Sequence, residues 1–184
     1  MSVSPGRRPE IDRDTHEILA LKKAAVWSAL AGIALFASTE FAPGFYGTWY
    51  SVLNALGFGL ILPVIASLHV RNVLVRQSGA MLGTIAGTCL VVIGLSGAPE
   101  TSPALLVVRT VWWWTIGKMW AETNVMPRAF GWVTMLVAVA FPLAAGLAAL
   151  VGRSDALPDL ALRLVFSVWL VVLAAFLWPR RPIP

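Results

Sequence analysis

Arg109 is the residue whose type and position could do chemistry. It interrupts the apolar run Ala104–Ala121, and at ~1.5 Å of rise per residue it lies roughly 8 Å inside the start of that run. An ionised side chain at such depth is costly and by default marks a site with a partner. Trp112 and Trp113 follow at i+3 and i+4, within reach of a cation–π contact. Glu40, at the outer end of the first apolar run, is the nearest counter-ion, and Glu100 is another. Asn54 is a second polar group set in apolar sequence. Arg109, Asn54, Trp112, Trp113 and Glu40 are therefore the ligand-binding candidates, with the tryptophans as a wall of an apolar cavity. Plainer roles compete: Arg109 snorkelling to headgroups, rings filling a core and Asn54 tying two helices together. Arg163, shallower in the last apolar run, fits snorkelling better than Arg109 does.

Catalytic constellations are missing from the sequence. Gly94-Leu95-Ser96-Gly97 resembles the serine motif of rhomboid proteases, but that serine needs a histidine on a later helix. Both histidines, His16 and His69, precede it. They supply neither a haem nor a zinc ligand set. There is no membrane-embedded carboxylate pair, no C-x-x-C and no glycine-rich phosphate loop. No catalytic residue, metal or cofactor is assigned. Cys89, the single cysteine, is expected as a packed, inert thiol.

The elements that must position these residues are six apolar stretches: about 24–39, 49–70, 80–97, 104–121, 130–151 and 160–178. Each approaches or exceeds the ~20 residues that cross a ~30 Å hydrocarbon layer. Hydrophobic residues make up 58% of the chain and charged residues 12%, about half the ~25% usual in soluble domains. The stretches are continuously apolar rather than alternating, which argues against a β-barrel. No connection exceeds nine residues, so successive helices must be antiparallel neighbours. The fold expected is an all-α integral membrane protein, a six-helix transmembrane bundle with up-down threading. Residues 1–13 read as a disordered tail, 14–179 as the transmembrane domain and 180–184 as a second tail. Asp14-Thr15-His16-Glu17 resembles an N-cap with an acid three positions on, so the first helix should start there.

Charge predicts the orientation. Arg7, Arg8, Arg13, Lys22, Lys23, Arg71, Arg76, Lys118, Arg128, Arg180 and Arg181 fall on one side; the opposite connections hold only Arg153, beside Glu40, Glu100, Asp155 and Asp159. Basic residues in short loops stay cytoplasmic, which puts both termini inside. The acids of the N-terminal segment, and the lack of a small-residue cleavage site, argue against a signal peptide. The +5 net charge suits anionic lipid, and nothing in it reads bases, so lipids are expected as partners and nucleic acid is not.

Pro63 and Pro142 sit mid-stretch and should kink their helices. Pro43-x-x-Tyr46-Gly47 and Pro127-x-x-Phe130-Gly131 precede those two helices; with opposite topologies in each half, this pairing hints at a 3+3 inverted repeat. Gly79, Gly83 and Gly87 form a stripe at spacing four, suited to close helix contact. It serves a homo-oligomer, a membrane-protein partner or a neighbour in the bundle, and the bundle's own need to pack favours the last. Trp27, Trp132 and Trp178 fit one membrane interface and Tyr46, Trp49 and Tyr50 the other.

Trp114 to Trp132, with the turn Met126-Pro127-Arg128-Ala129-Phe130-Gly131, resembles a Leu-Pro-Arg-x-Leu-Gly pattern of uncharacterised bacterial multi-pass inner-membrane proteins, over about the last 70 residues. Met126 and Phe130 replace the usual leucines. The resemblance implies a bacterial inner-membrane protein and leaves its activity open. Two functions follow: a non-catalytic membrane protein for binding, sensing or assembly, and a small transporter or channel for an apolar or anionic solute. A polar cavity bordered by Arg109, Asn54 and both prolines would favour transport; a packed interior would favour the first.

Overall fold

The computed structural model describes residues 8–40, 47–150 and 156–179, with side chains from Ile18 onward except those of residues 40, 148 and 156–158. Within them the chain is helical and contains no strand. The helices are α1 (Arg8–Glu40), α2 (Gly47–Val73), α3 (Gln77–Leu95), α4 (Pro103–Thr123), α5 (Arg128–Leu150) and α6 (Ala156–Leu177). Stretches within α1, α2, α3, α5 and α6 are long and apolar enough to cross a membrane, which is consistent with a helical membrane bundle. The sequence reading counted α4 as a sixth. Its 21 residues suffice in length, but Arg109, Lys118 and Glu122 leave it less apolar than the others.

Two expectations are corrected. Helix α1 begins at Arg8, not Asp14, so residues 8–13 belong to the helix and not to a tail. Pro9, fixed near helical φ, suits a first turn. Cys89 is exposed on α3 rather than packed. The motif Pro43–Tyr46, Arg153, Asp155 and the tail 180–184 lie outside the described residues.

Contacts between turns fix how the helices run. Arg76, just before α3, pairs with Glu122 near the end of α4 at 2.6 Å, and Arg71 Nη2 donates to Val125 O at 2.8 Å. These join the α2–α3 and α4–α5 turns at one end of the bundle. A cleft of about 460 Å³ at that end is lined by Leu21 of α1, Arg71, Asn124 and Trp178. At the other end Thr101 N donates to Asp159 Oδ1 at 3.0 Å, tying the α3–α4 turn to the first turns of α6.

Each helix packs on the next in sequence, and α6 closes the ring on α1; α5 and α6 touch only sparingly. Glycine explains the contrast. At the α4–α5 crossing a Cβ on Gly131 would lie 2.6 Å from Ala121 N and 2.7 Å from Gly117 O. On α1, a Cβ on Gly32 would meet Ser167 O of α6 at 2.7 Å. Gly57 faces Leu35, Gly94 faces Phe58, and Gly83 and Gly87 receive Ile116 and Trp112. Every close interface thus has a residue that lets backbones approach. Gly146, exposed near the end of α5, meets nothing within 4 Å. The stripe Gly79, Gly83, Gly87 accordingly packs on α4 inside the chain.

A six-membered ring leaves its centre to be filled, because facing helix axes stand about 16–20 Å apart when neighbours are 8–10 Å apart. Trp112, Trp113 and Trp120 of α4 reach across to α6. Trp112 and Trp113 lie 5.4 and 5.5 Å from Trp169, ring to ring, and Trp113 lies 5.0 Å from Phe141 of α5. Trp169 Nε1 donates to Thr134 Oγ1 at 3.0 Å, a polar tie across the loose seam. Trp114, one position on, faces outward. The outer surface is apolar, with Val70, Val92, Leu136, Leu147 and Leu150 all more than three-fifths exposed, a pattern rare on soluble monomers.

Candidate functional site

Glu100, Arg109 and Arg163 meet at the end of the bundle where α4 and α6 begin. Pro103 starts α4, and Ser102 caps it by accepting from Leu105 N at 3.4 Å. That start carries Glu100 on the preceding turn and Arg109 two turns into the helix. Thr101, held by Asp159 through its N–H and hydroxyl, fastens the turn so that Glu100 folds inward. Arg163 follows Asp159 by one turn of α6.

Arg109 Nη2 donates to Glu100 Oε2. Arg163 Nε lies 3.3 Å from Oε1 of the same carboxylate, a Coulombic contact without hydrogen-bond alignment. Arg163 also donates through Nη1 to Ser38 Oγ at 2.9 Å and through Nη2 to Tyr50 Oη at 2.7 Å, and its guanidinium lies 4.8 Å from the Tyr50 ring centre. Arg109 rests 4.5 Å from the Phe166 ring centre and 5.9 Å from that of Trp113. Glu100 is 0%, Arg109 1% and Arg163 3% exposed, so these charges depend on one another rather than on water.

Among the described side chains the charges do not balance. Two guanidinium groups face one carboxylate, and Arg109 Nε and Nη1, like Glu100 Oε1, have no hydrogen-bond partner there. Ring contacts offset part of this, at roughly 0.5–2 kcal/mol each. A buried charge without a counter-ion costs several kcal/mol. One turn below Tyr50, Asn54 Nδ2 donates to Gly94 O at 3.0 Å, tying α2 to α3, while its Oδ1 stays unpaired.

The sequence candidates fare unequally. Arg109 and Asn54 are buried, and Arg109 has the partner its depth demanded. That partner is Glu100, on the adjoining turn; the Glu40 side chain lies outside the described residues. Trp113 makes the cation–π contact, with Phe166 in place of Trp112, which packs instead on Gly87, Phe166 and Trp169. Among the described contacts Pro63 and Pro142 make none to the cluster. Arg163 was read as a shallow, snorkelling arginine; it is instead buried in the cluster. Tyr50 and Ser38 were missed as its partners. The available signal was depth: Arg163 lies about as far into α6 as Arg109 lies into α4.

A second polar contact lies toward the opposite end. Thr84 Oγ1 lies 2.8 Å from Ala80 O and 2.7 Å from His69 Nδ1, and the His69 tautomer sets whether Nδ1 or Oγ1 donates in the second contact. No group of three or more His, Cys, Asp or Glu side chains able to hold a metal occurs among the described residues. No protein-family model, curated protein or solved structure matches this chain.

Proposed function

We propose that the chain is a non-catalytic integral membrane protein that binds or senses a component of the bilayer, threaded up and down six times with both termini in the cytoplasm of a bacterial cell. One observation carries this reading. The place where a transport path would run, between Arg109, Asn54 and the helices bearing Pro63 and Pro142, is packed with the rings of Trp112, Trp113, Phe166 and Trp169. The orientation is supported by the basic residues Arg71, Arg76, Lys118 and Arg128 at one end and by Glu100 and Asp159 at the other. The resemblance of the C-terminal part to multi-pass inner-membrane proteins supports the compartment.

A small anion transporter is the second reading, favoured by the excess positive charge at Arg109. Flux measurement separates the two. The purified protein, reconstituted in liposomes loaded with chloride, formate or phosphate, should release no more anion than empty liposomes. Saturable release abolished by Arg109→Leu would overturn the binding reading in favour of transport.

A further inference from the structure

We infer that the Glu100–Arg109–Arg163 cluster is a receptor for one singly charged oxyanion group, held by the free N–H groups of Arg109 next to Glu100. The inference deepens the reading of the bundle as a binding protein and rests on it.

Charge arithmetic sets the ligand class. Among the described side chains, two buried guanidinium groups and one buried carboxylate leave one positive charge. A monoanion brings the cluster to neutrality, whereas a dianion or a cation would unbalance it again. Donor arithmetic agrees. Arg163 spends Nη1 and Nη2 on Ser38 and Tyr50 and sets Nε 3.3 Å from Glu100 Oε1 without a hydrogen bond. Arg109 spends Nη2 alone, and its Nε and Nη1 remain buried donors with no acceptor. Ring faces lie beside this guanidinium, but a ring face accepts no directed hydrogen bond comparable to that of an oxyanion. Buried donors of this kind are regularly satisfied in native proteins.

The ring of helices gives the approach. Helix α5 stands between α4 and α6, the two helices that carry the arginines. Toward this end of the bundle it turns Leu143, Leu147 and Leu150 outward, and Gly146 meets no neighbour. Its packing on α6 is slight. This is the least packed pair of neighbouring helices in the ring, on a side that the proposed bundle turns to lipid. The shared chemistry therefore has two sources: the phosphodiester of an anionic lipid arriving through the α5–α6 seam, or a small carboxylate arriving from water.

The test titrates purified full-length protein in a neutral maltoside detergent with dioleoyl phosphatidylglycerol, with dioleoyl phosphatidylcholine as its zwitterionic control, or with sodium formate. Intrinsic tryptophan fluorescence reads the melting temperature, and native mass spectrometry counts bound lipid. One of the two anionic probes should raise the midpoint saturably, by about 5 °C or more at a hundredfold excess over Kd. Phosphatidylglycerol acting at one molecule per chain identifies a lipid; formate identifies a soluble anion. Arg109→Leu, which leaves Glu100 and Arg163 balanced, should abolish the shift. Glu100→Gln, which raises the excess charge to two, should tighten binding about tenfold. Absence of a shift with either probe in the unaltered protein overturns the inference, as does a shift that Glu100→Gln leaves unchanged or Arg109→Leu preserves. Anion flux through liposomes would sink the closed-bundle reading while leaving this titration intact, so the two failures are distinguishable.

Discussion

Arg163 Nε lies 3.3 Å from Glu100 Oε1, so one carboxylate serves guanidinium groups from two helices, α4 and α6, whose backbones do not touch. That shared group ties α4 to α6 at this end, beside the Thr101–Asp159 contact. Glu100→Gln leaves two arginines facing each other without a counter-ion among the described side chains and should cost about 3–5 kcal/mol, or roughly 10 °C in melting temperature. Arg109→Leu leaves one arginine on one carboxylate and should cost less than half as much. Thermal unfolding of both variants in detergent checks the order; equal losses would mean the carboxylate is not shared.

Tyr50 supports Arg163 in two ways, as acceptor through Oη at 2.7 Å and as a ring 4.8 Å from the guanidinium. Tyr50→Phe keeps the ring and removes the acceptor, leaving a charged donor unpaired at a cost of about 1.5–3 kcal/mol. Tyr50→Leu removes both and should lose a further ~1 kcal/mol or so. If Tyr50→Phe unfolds at the temperature of the unaltered protein, the hydroxyl plays no part in holding Arg163.

Much of this arrangement was legible in the sequence because it follows from period and cost. A charge inside an apolar run demands a partner, which singled out Arg109 and put Glu100 among its candidates. Three consecutive tryptophans on a helix cannot all face one way, and Trp112 and Trp113 point in while Trp114 points out. Glycines at spacing four announce a close contact but not its partner, so the stripe Gly79, Gly83, Gly87 did not reveal α4. Arg163 was misjudged because snorkelling depends on what surrounds a residue, and Ser38, Tyr50 and Glu100 come to it from three other parts of the chain. The start of α1 was placed too late because a plausible N-cap at Asp14 outweighed Pro9, a residue equally suited to a first turn.

Backbone approach at the α4–α5 crossing should be intolerant of a single methyl group. In Gly131→Ala the new Cβ lies 2.6 Å from Ala121 N, and backbone cannot swing aside as a side chain does. Separating the two helices should cost about 1–3 kcal/mol. Gly146→Ala on the same helix meets nothing within 4 Å and should be neutral or slightly stabilising, since alanine favours helix by up to ~1 kcal/mol over glycine. Denaturation of the two variants side by side gives the comparison. A Gly146→Ala loss as large as that of Gly131→Ala would show that the surroundings of Gly146 are packed after all.

Thiol labelling in intact cells addresses the orientation. Cys89 is exposed on α3 at mid-helix, where the proposed hydrocarbon layer surrounds it. A membrane-impermeant maleimide should leave it unmodified from either side of the intact membrane, and the thiol should react only once detergent lets water reach it, since the thiolate is the nucleophile. With Cys89→Ala as background, Ser96→Cys probes the Glu100 end and Leu74→Cys the Arg76 end; both positions are exposed in turns or at a helix end. The basic end belongs in the cytoplasm if positive charge sets topology. Ser96→Cys should therefore react from outside in whole cells, and Leu74→Cys only after permeabilisation. The reverse pattern would place the arginine cluster at the cytoplasmic face, where its anion would come from the inner leaflet or the cytosol.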